Sequence, residues 1–153
     1  MPVPPVFNPL PSALDGCPLC QTAGGTLLGT RGDWRVVRVD DPSFPAFYRV
    51  ISQHHVAEFS ELLAPERQRG MDLVCAVERL LIERLRPTKV NLASLGNVVP
   101  HLHWHVIARF DWDSHFPQPV WAGPQRATDD ARLSACRARL PEIDSAIVEL
   151  LRR

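Results

Sequence analysis

Residues 96–107 read GNVVPHLHWHVI, and no other stretch says as much about the structure and chemistry of this chain. Successive side chains of a β-strand point to opposite faces of the sheet. His101, His103 and His105 are therefore expected on one face, and the apolar residues between them on the other. The sequence predicts a strand with one buried apolar face and one face rich in imidazole.

Three alternating imidazoles suit chemistry at phosphorus. A neutral imidazole can attack phosphorus as a nucleophile and leave again near neutral pH. A second imidazole can donate a hydrogen bond to the phosphate oxygens or protonate a leaving group. Two other interpretations stay open on the residues alone: a half-exposed strand with an ordinary polar face, or a metal-binding cluster. The strict alternation with apolar residues favours the phosphoryl site.

The segments around this strand predict an α+β fold, because strands, a helix, further strands and a second helix follow one another along the chain. That order favours an antiparallel β-sheet with a main helix and a C-terminal helix packed on it. The predicted strands lie in residues 26–39 (a hairpin that turns at Arg31-Gly32-Asp33), 46–52, 89–93 and 101–110, and the predicted helices in 65–85 and 129–151.

Length and charge limit the class of protein. A chain of 153 residues with 45% hydrophobic residues fits one domain, residues 1–153. Within it, residues 1–16 are expected to form an extended N-terminal arm, and residues from about 127 to 153 a C-terminal helical segment. The 17 basic and 17 acidic residues argue against a nucleic-acid or membrane partner. No signal peptide or membrane span is evident, so a cytoplasmic protein is expected.

The four cysteines do not form a disulfide pattern. Cys17 and Cys20 form a C-x-x-C pair, whose thiolates can share one tetrahedral metal ion. Zinc needs two more ligands, and the candidates are His54 or His55 together with His101. A redox role is less expected, because the following residues, QTAGG, are poor helix formers. Two single cysteines in helical patterns are expected to fill the core: Cys75 and Cys136.

The 96–107 stretch resembles the signature of the histidine-triad (HIT) nucleotide-binding superfamily, in which histidines alternate with apolar residues after a Gly-Gln or Gly-Asn loop. The resemblance covers residues 17–110. It implies a HIT-like fold, a homodimer, and a small-molecule nucleotide as ligand. It also implies that His103 is the nucleophile that takes up a nucleoside monophosphate, and that His105 binds the α-phosphate beside it.

The resemblance implies further contacts with the substrate. Asn97 matches the family's loop glutamine, which contacts the phosphates, and it is one methylene shorter. Asn91 matches a polar residue near the ribose or phosphate, and Asp40 or Asp41 falls near the acidic position that binds the ribose. Three aromatic residues near the ribose end are candidates for a nucleobase pocket: Trp34, Phe44 and Phe47.

The implied activity is that of a nucleotide hydrolase or nucleotidyl transferase. Residues 93–100, together with residues 113–117 and Trp121, are similar to a bacterial branch described as diadenosine-tetraphosphate hydrolase-like. Cleavage at the α-phosphate of a dinucleoside polyphosphate or a nucleoside phosphoramidate is therefore expected. The alternatives are a nucleotide-binding or sensing module with little turnover, and a metal-storage or metal-sensor protein.

The resemblance also selects a set of metal ligands. Several bacterial histidine-triad proteins with this layout carry a C-x-x-C knuckle, a histidine followed by an aliphatic residue, and the first triad histidine as zinc ligands. The matching residues are Cys17, Cys20, His55 and His101, which implies one structural zinc per chain and no catalytic metal. The alternative is a pair of reduced thiols, with His101 as a third active-site imidazole.

Overall fold

The computed structural model describes residues 3, 7 and 13–153, and the predicted arm at residues 1–16 falls largely outside them. The described residues form an α+β fold with a five-stranded antiparallel sheet. The strands are β1 (Thr26–Arg31), β2 (Trp34–Arg38), β3 (Phe47–Ser52), β4 (Lys89–Ala93) and β5 (His103–Arg109). The helices are α1 (Pro18–Gln21), α2 (Ala64–Leu85) and α3 (Asp130–Leu151), with a 3₁₀ turn at Phe59–Glu61.

The strand order β1-β2-β3-β5-β4 places the histidine strand inside the sheet. β5 pairs with β3 on one side and with β4 on the other, and both pairings are antiparallel. Its side chains are therefore flanked by those of two neighbouring strands. A strand with neighbours on both sides is held by hydrogen bonds along its whole length, which makes it a rigid support for a functional site.

The two long helices begin and end where local signals place them. Pro65 lies in the first turn of α2, and the Glu66 carboxylate accepts a hydrogen bond from the Leu63 N–H at 2.7 Å. α2 ends at Leu85, and the next residue, Arg86, adopts the left-handed conformation (φ 48°) before Pro87. Asp129 caps α3 by accepting a hydrogen bond from the Arg132 N–H at 3.0 Å. None of the helices in the described part of the chain is long and apolar enough to cross a membrane.

The main hydrophobic core lies between one face of the sheet and the helices. α2 packs on β3, β4 and β5, and α3 packs on β1 and on α2. The core-facing positions of the strands alternate as expected, and Val36, Val50 and Val106 are fully buried beneath the helices. The opposite face of the sheet therefore remains free of long helices, and it carries the histidines.

Two expectations about single residues were wrong. Cys75 is exposed, whereas Cys136 is buried in the core as expected. Trp34, a candidate for the nucleobase pocket, is instead part of the main core: it is 1% exposed, and its indole N–H donates to the Glu66 carbonyl at 3.2 Å.

The histidine strand is also shorter than the predicted range of 101–110. Pro100 has no N–H, and the His101 N–H bonds back to the Val99 carbonyl at 2.8 Å in a tight turn. The regular ladder with β3 therefore begins at His103, which pairs with Ile51. His101 is left at the entrance of the strand, where its side chain is free to serve a separate site.

Candidate functional site

His103 and His105 lie side by side on the face of the sheet that the long helices leave free. Their rings are 4.8 Å apart between centroids, at an interplanar angle of 84°. Across the sheet, His103 pairs with Ile51, and His105 pairs with Arg49 on β3 and with Ala93 on β4. The alternation of the strand thus brings two imidazoles to one place, as the sequence predicts.

The tautomer of His103 is fixed by its neighbour. Nδ1 of His103 lies 2.6 Å from the backbone carbonyl oxygen of His101. Because a carbonyl can only accept, Nδ1 carries the hydrogen, and the lone pair is on Nε2. The Ser94 hydroxyl donates to the His103 carbonyl at 2.9 Å and ties the loop before the strand to the strand itself. Burial lowers the pKa of His103, so the ring is a neutral imidazole with a free basic nitrogen at neutral pH.

His105 is enclosed by aromatic rings and is only 4% exposed. Its ring meets Phe47 at 5.4 Å and Trp121 at 5.1 Å between centroids. Burial, followed by the charges of His103 and Arg49, lowers the pKa of His105 to about 3. Nδ1 of His105 is buried and has no hydrogen-bond partner within the described residues. His105 is therefore neutral at pH 7 and keeps hydrogen-bonding capacity unused.

A second cluster lies at the entrance of the histidine strand and joins Cys17, Cys20, His55 and His101. Nδ1 of His101 is 3.6 Å from Sγ of Cys17 and 3.4 Å from Sγ of Cys20. Nδ1 of His55 is 3.2 Å from Sγ of Cys20 and 3.3 Å from Nδ1 of His101. A tetrahedral zinc ion places two nitrogen ligands about 3.3 Å apart, and a sulfur and a nitrogen about 3.6 Å apart. The four atoms therefore lie close to the corners of such a tetrahedron.

The surroundings of this cluster also suit a cation. Nε2 of His101 donates to the Ser52 carbonyl at 2.8 Å, which directs the Nδ1 lone pair towards the two sulfur atoms. Burial lowers the pKa of His101 to about 4 and keeps the ring neutral. Burial also raises the pKa of the Cys20 thiol. A bound metal ion would offset that effect by stabilising the thiolate.

A buried arginine holds the C-x-x-C segment in place. Arg35 donates to the carbonyl oxygens of Leu19 at 2.5 Å, Thr22 at 3.3 Å and Ala23 at 3.1 Å. These carbonyls follow or lie within the single turn of α1, whose first residue comes directly after Cys17. The guanidinium therefore anchors the thiol-bearing segment to β2.

The structure distinguishes between the two adjacent histidines that the sequence offered as ligands. His55 belongs to the Cys/His cluster, whereas Nε2 of His54 lies 3.4 Å from the Asp33 carboxylate on the surface. Asp33, His54 and Glu66 form a second group with metal-binding side chains. There the Asp33 carboxylate is already paired with Arg69 at 2.5 Å, so this group is better described as a surface ion-pair network.

The predicted substrate-binding residues lie in three separate segments of the chain. Asn91 lies on β4, the strand beside the histidine strand. It pairs with Ile107, which is two residues beyond His105. Its side-chain oxygen accepts from Arg109 at 2.8 Å. Asn97 is exposed on the loop before the histidines. Asp40 is also exposed, and the Asp41 carboxylate accepts from two backbone N–H groups of its own turn, at Ser43 and Phe44.

Three further residues surround the site, and Arg49 is the one to which the sequence assigned no role. Arg49 is the only charged residue of the segment AFYRVIS and pairs with His105. Trp121 is 52% exposed and covers one edge of His105. Arg109 forms a buried ion pair with Asp113 at 2.8 Å and also donates to the Gln118 carbonyl, which holds the loop before Trp121. A charge within an apolar strand is the signal that could have identified Arg49.

Comparison with known proteins identifies a domain that contains this site. A family model for the HIT domain matches residues 23–112. A histidine triad protein from Bradyrhizobium japonicum has a similar structure, with 27% identity, a TM-score of 0.68, and coverage of 84% of this chain and 92% of that chain. One from Marinobacter aquaeolei is 26% identical, with a TM-score of 0.65 and coverage of 82% and 92%. One from Sinorhizobium meliloti is 27% identical, with a TM-score of 0.63 and coverage of 78% and 90%. No curated protein matches at a significant level.

Proposed function

The chain belongs to the histidine-triad (HIT) family, and on this basis we propose that it is a nucleotide hydrolase or nucleotidyl transferase in which His103 is the nucleophile. The observation that carries the proposal is the 2.6 Å hydrogen bond from Nδ1 of His103 to the His101 carbonyl. It leaves the unprotonated Nε2 as the only nucleophilic nitrogen of the ring. Family membership supports nucleotide binding with hydrolase- or transferase-type chemistry in general, and the residue roles are our proposal.

The proposed reaction has two steps. Nε2 of His103 attacks the α-phosphorus of the substrate, a P–N bond forms, and the bond to the leaving group breaks. The leaving group departs with the bonding electron pair and takes up a proton. A water molecule then attacks the same phosphorus, the P–N bond breaks, and a nucleoside monophosphate is released. In a transferase, another hydroxyl compound takes the place of water.

The other residues of the site would assist without a covalent role. His105 would bind the α-phosphate beside His103, and the Asn97 amide would donate to the phosphate oxygens from the loop. Asn91 and one of Asp40 and Asp41 would contact the sugar or the phosphates. The substrate class that we propose is a dinucleoside polyphosphate or a nucleoside phosphoramidate, as in the diadenosine-tetraphosphate hydrolase-like branch.

We further propose that Cys17, Cys20, His55 and His101 hold one structural zinc ion. The match of their mutual distances to a tetrahedral site supports this proposal. Zinc would supply a fixed anchor for the C-x-x-C segment and for His101, and the chemistry at phosphorus requires no catalytic metal. Two buried cysteines that form no disulfide fit a reducing compartment such as the cytoplasm.

At the level of the whole chain, we propose that residues 1–153 form one HIT domain that acts as a homodimer. Residues 1–16 would be its N-terminal arm, and residues 127–153 its C-terminal helical segment. The proposed ligands are small nucleotides, with no nucleic-acid or membrane partner.

Intact-protein mass spectrometry after brief mixing with diadenosine tetraphosphate tests the enzyme proposal. We expect an added adenylate mass on the wild type, or released nucleoside monophosphate in the same tube, and neither with His103→Ala. His54→Ala is the matched control, because His54 is a surface histidine outside the site and should leave both signals unchanged. Turnover that persists in His103→Ala would overturn the nucleophile assignment. If diadenosine tetraphosphate gives no signal, a nucleoside phosphoramidate is tested next, and binding without product from either substrate would favour a sensing module.

A further inference from the structure

Arg49 brings a guanidinium group to the histidine face of the sheet. It lies on β3 directly opposite His105 in the antiparallel register, so both side chains leave the sheet on the same side. Its guanidinium carbon lies 5.8 Å from the centre of the Phe47 ring, and that ring contacts His105 at 5.4 Å between centroids. Arg49 therefore presents a cation on the same face of the sheet as the two proposed site histidines, in register with His105.

The hydrogen bonds of Arg49 are incomplete. One terminal N–H donates to the Gly24 carbonyl at 3.2 Å, and the Nε–H is buried with no partner among the residues that the structure describes. Among those residues, Arg49 also makes no ion pair with a carboxylate, whereas Arg38 pairs with Asp144 and Arg109 with Asp113. The fully buried Arg35 also has no carboxylate partner, but its N–H groups donate to three carbonyl oxygens and to the Gln53 side chain. Arg49 differs because its buried Nε–H is left without an acceptor, and burying an unpaired donor is unfavourable.

The negative charge of a bound phosphate also calls for a cation at this site. A nucleotide brings negatively charged phosphate to the rings of His103 and His105. The hydrogen bond from Nδ1 to the His101 carbonyl leaves Nε2 of His103 unprotonated as the proposed nucleophile, so this ring cannot also supply a positive charge to the phosphate. Phe47 and Trp121, which enclose His105, carry no charge either. A cation is needed on this face, and Arg49 supplies one.

We propose that Arg49 binds the non-bridging oxygens of the phosphoryl group that His103 attacks, with its Nε–H and a terminal N–H as the donors. The inference rests on the proposed nucleotide function and adds to it the residue that recognises the phosphate charge. A guanidinium presents two parallel N–H groups that match two oxygens of one phosphate, and a lysine ammonium does not. His105 then acts as a neutral hydrogen-bond partner, and the charge recognition belongs to Arg49.

Binding measurements with AMP, adenosine and inorganic pyrophosphate test this inference without relying on turnover. We expect Arg49→Gln to weaken AMP binding about 10- to 100-fold, the range for loss of a hydrogen bond to a charged group, and to leave adenosine binding unchanged. Arg49→Lys keeps the charge and the long stem, so it should fold, yet it should still bind AMP about 10-fold more weakly than wild type, because it cannot form the paired hydrogen bonds. The control is Arg79→Gln on the exposed side of α2, which removes the same charge and should change neither affinity.

The outcomes separate the inference from the proposed function. If wild type prefers AMP to adenosine and both Arg49 variants keep that preference, the inference is wrong and the nucleotide function stands. If both ligands weaken equally in Arg49→Lys, Arg49 acts by holding Gly24 in place, and the inference is also wrong. If pyrophosphate binds in an Arg49-dependent way but no nucleotide does, Arg49 is a phosphate-binding residue and the nucleotide function fails. If wild type binds none of the three compounds, both proposals are overturned.

Discussion

His101 serves two neighbours at once: its carbonyl oxygen lies 2.6 Å from Nδ1 of His103, and its own Nδ1 lies 3.4 Å from Sγ of Cys20. The side chain belongs to the Cys/His cluster, and the backbone of the same residue fixes the tautomer of the proposed nucleophile. Any movement of His101 towards or away from the cluster therefore shifts the carbonyl that orients His103. The two sites thus share His101: one uses its side chain and the other its backbone carbonyl.

Loss of a cluster ligand should consequently affect both sites. We expect about one zinc per chain in the purified protein, and much less in His55→Asn, because a structural site needs four ligands. The variant should unfold at a lower temperature and form the adenylate adduct more slowly, since the His101 carbonyl is no longer fixed. Elemental analysis, thermal unfolding and the mass-spectrometric assay measure these three effects, with His54→Asn as control. Wild-type protein without zinc, or full zinc content in His55→Asn, would contradict the ligand assignment.

Burial of His105 should make stability depend on pH. The pKa is about 3 in the folded chain and about 6.5 in an unfolded chain, so between these values the unfolded state binds one more proton. Stability therefore rises with pH in this window, and it falls by about 2 kcal/mol for this one group from pH 7 to pH 5. Urea unfolding at the two pH values should show a smaller loss for His105→Asn than for wild type. Equal losses in both proteins would show that His105 is not a buried neutral imidazole.

Gly70 should tolerate no side chain, because a Cβ there would lie 2.3 Å from Cζ2 of Trp34. Alanine is the better helix former by about 1 kcal/mol, yet overpacking of a buried indole is expected to outweigh that gain. We predict that Gly70→Ala lowers the free energy of unfolding by about 1–3 kcal/mol. Gly123→Ala is the control: a Cβ there meets nothing within 4 Å, so the change should stay within about 0.5 kcal/mol. Denaturant titration measures both, and an unchanged Gly70→Ala would disprove the close packing of α2 on Trp34.

The buried pair of Arg109 and Asp113 should contribute far more to stability than a surface pair. Asp113→Asn leaves the guanidinium buried without its counter-charge, which is expected to destabilise the protein by about 3–5 kcal/mol. Glu142→Gln removes the partner of Arg84 in an exposed pair and should change stability by less than about 1 kcal/mol. Chemical denaturation of the two variants gives the comparison. Similar losses in both would argue that the 109–113 pair is solvated in solution.

The elements of the fold could be predicted from sequence because their signals are local. The strand 89–93 and the helix ending at Leu85 follow directly from side-chain periodicity and from Pro87. Cys75 was misplaced because the buried stripe of α2 runs through Gly70, Val74 and Val77, and the neighbour of Val74 lies about 100° around the helix. Membership of a periodic segment does not by itself place a residue on the buried face.

The contents of the site were harder to predict, because they depend on contacts between distant segments. The alternation of the histidines is local, but the placement of Arg49 beside His105 depends on the register of β3 against β5. Trp121 reaches His105 through a loop that a buried ion pair holds in place. Periodicity carries no information on strand register or loop path, so Arg49 was missed as a part of the site and the contact of Trp121 with His105 was not predicted.

The order of the cluster residues along the chain has a consequence for biosynthesis. His101, which faces both sulfur atoms, follows Cys20 by 81 residues. At about 5–20 residues per second, a ribosome needs about 4–16 s to translate that interval. During this time both cysteines have been translated, but His101, whose imidazole faces their sulfur atoms, has not. The two thiols are therefore open to oxidants and to competing metal ions. Completion of the cluster is thus a late step, and the two thiols depend on a reducing environment while about half of the chain is being made.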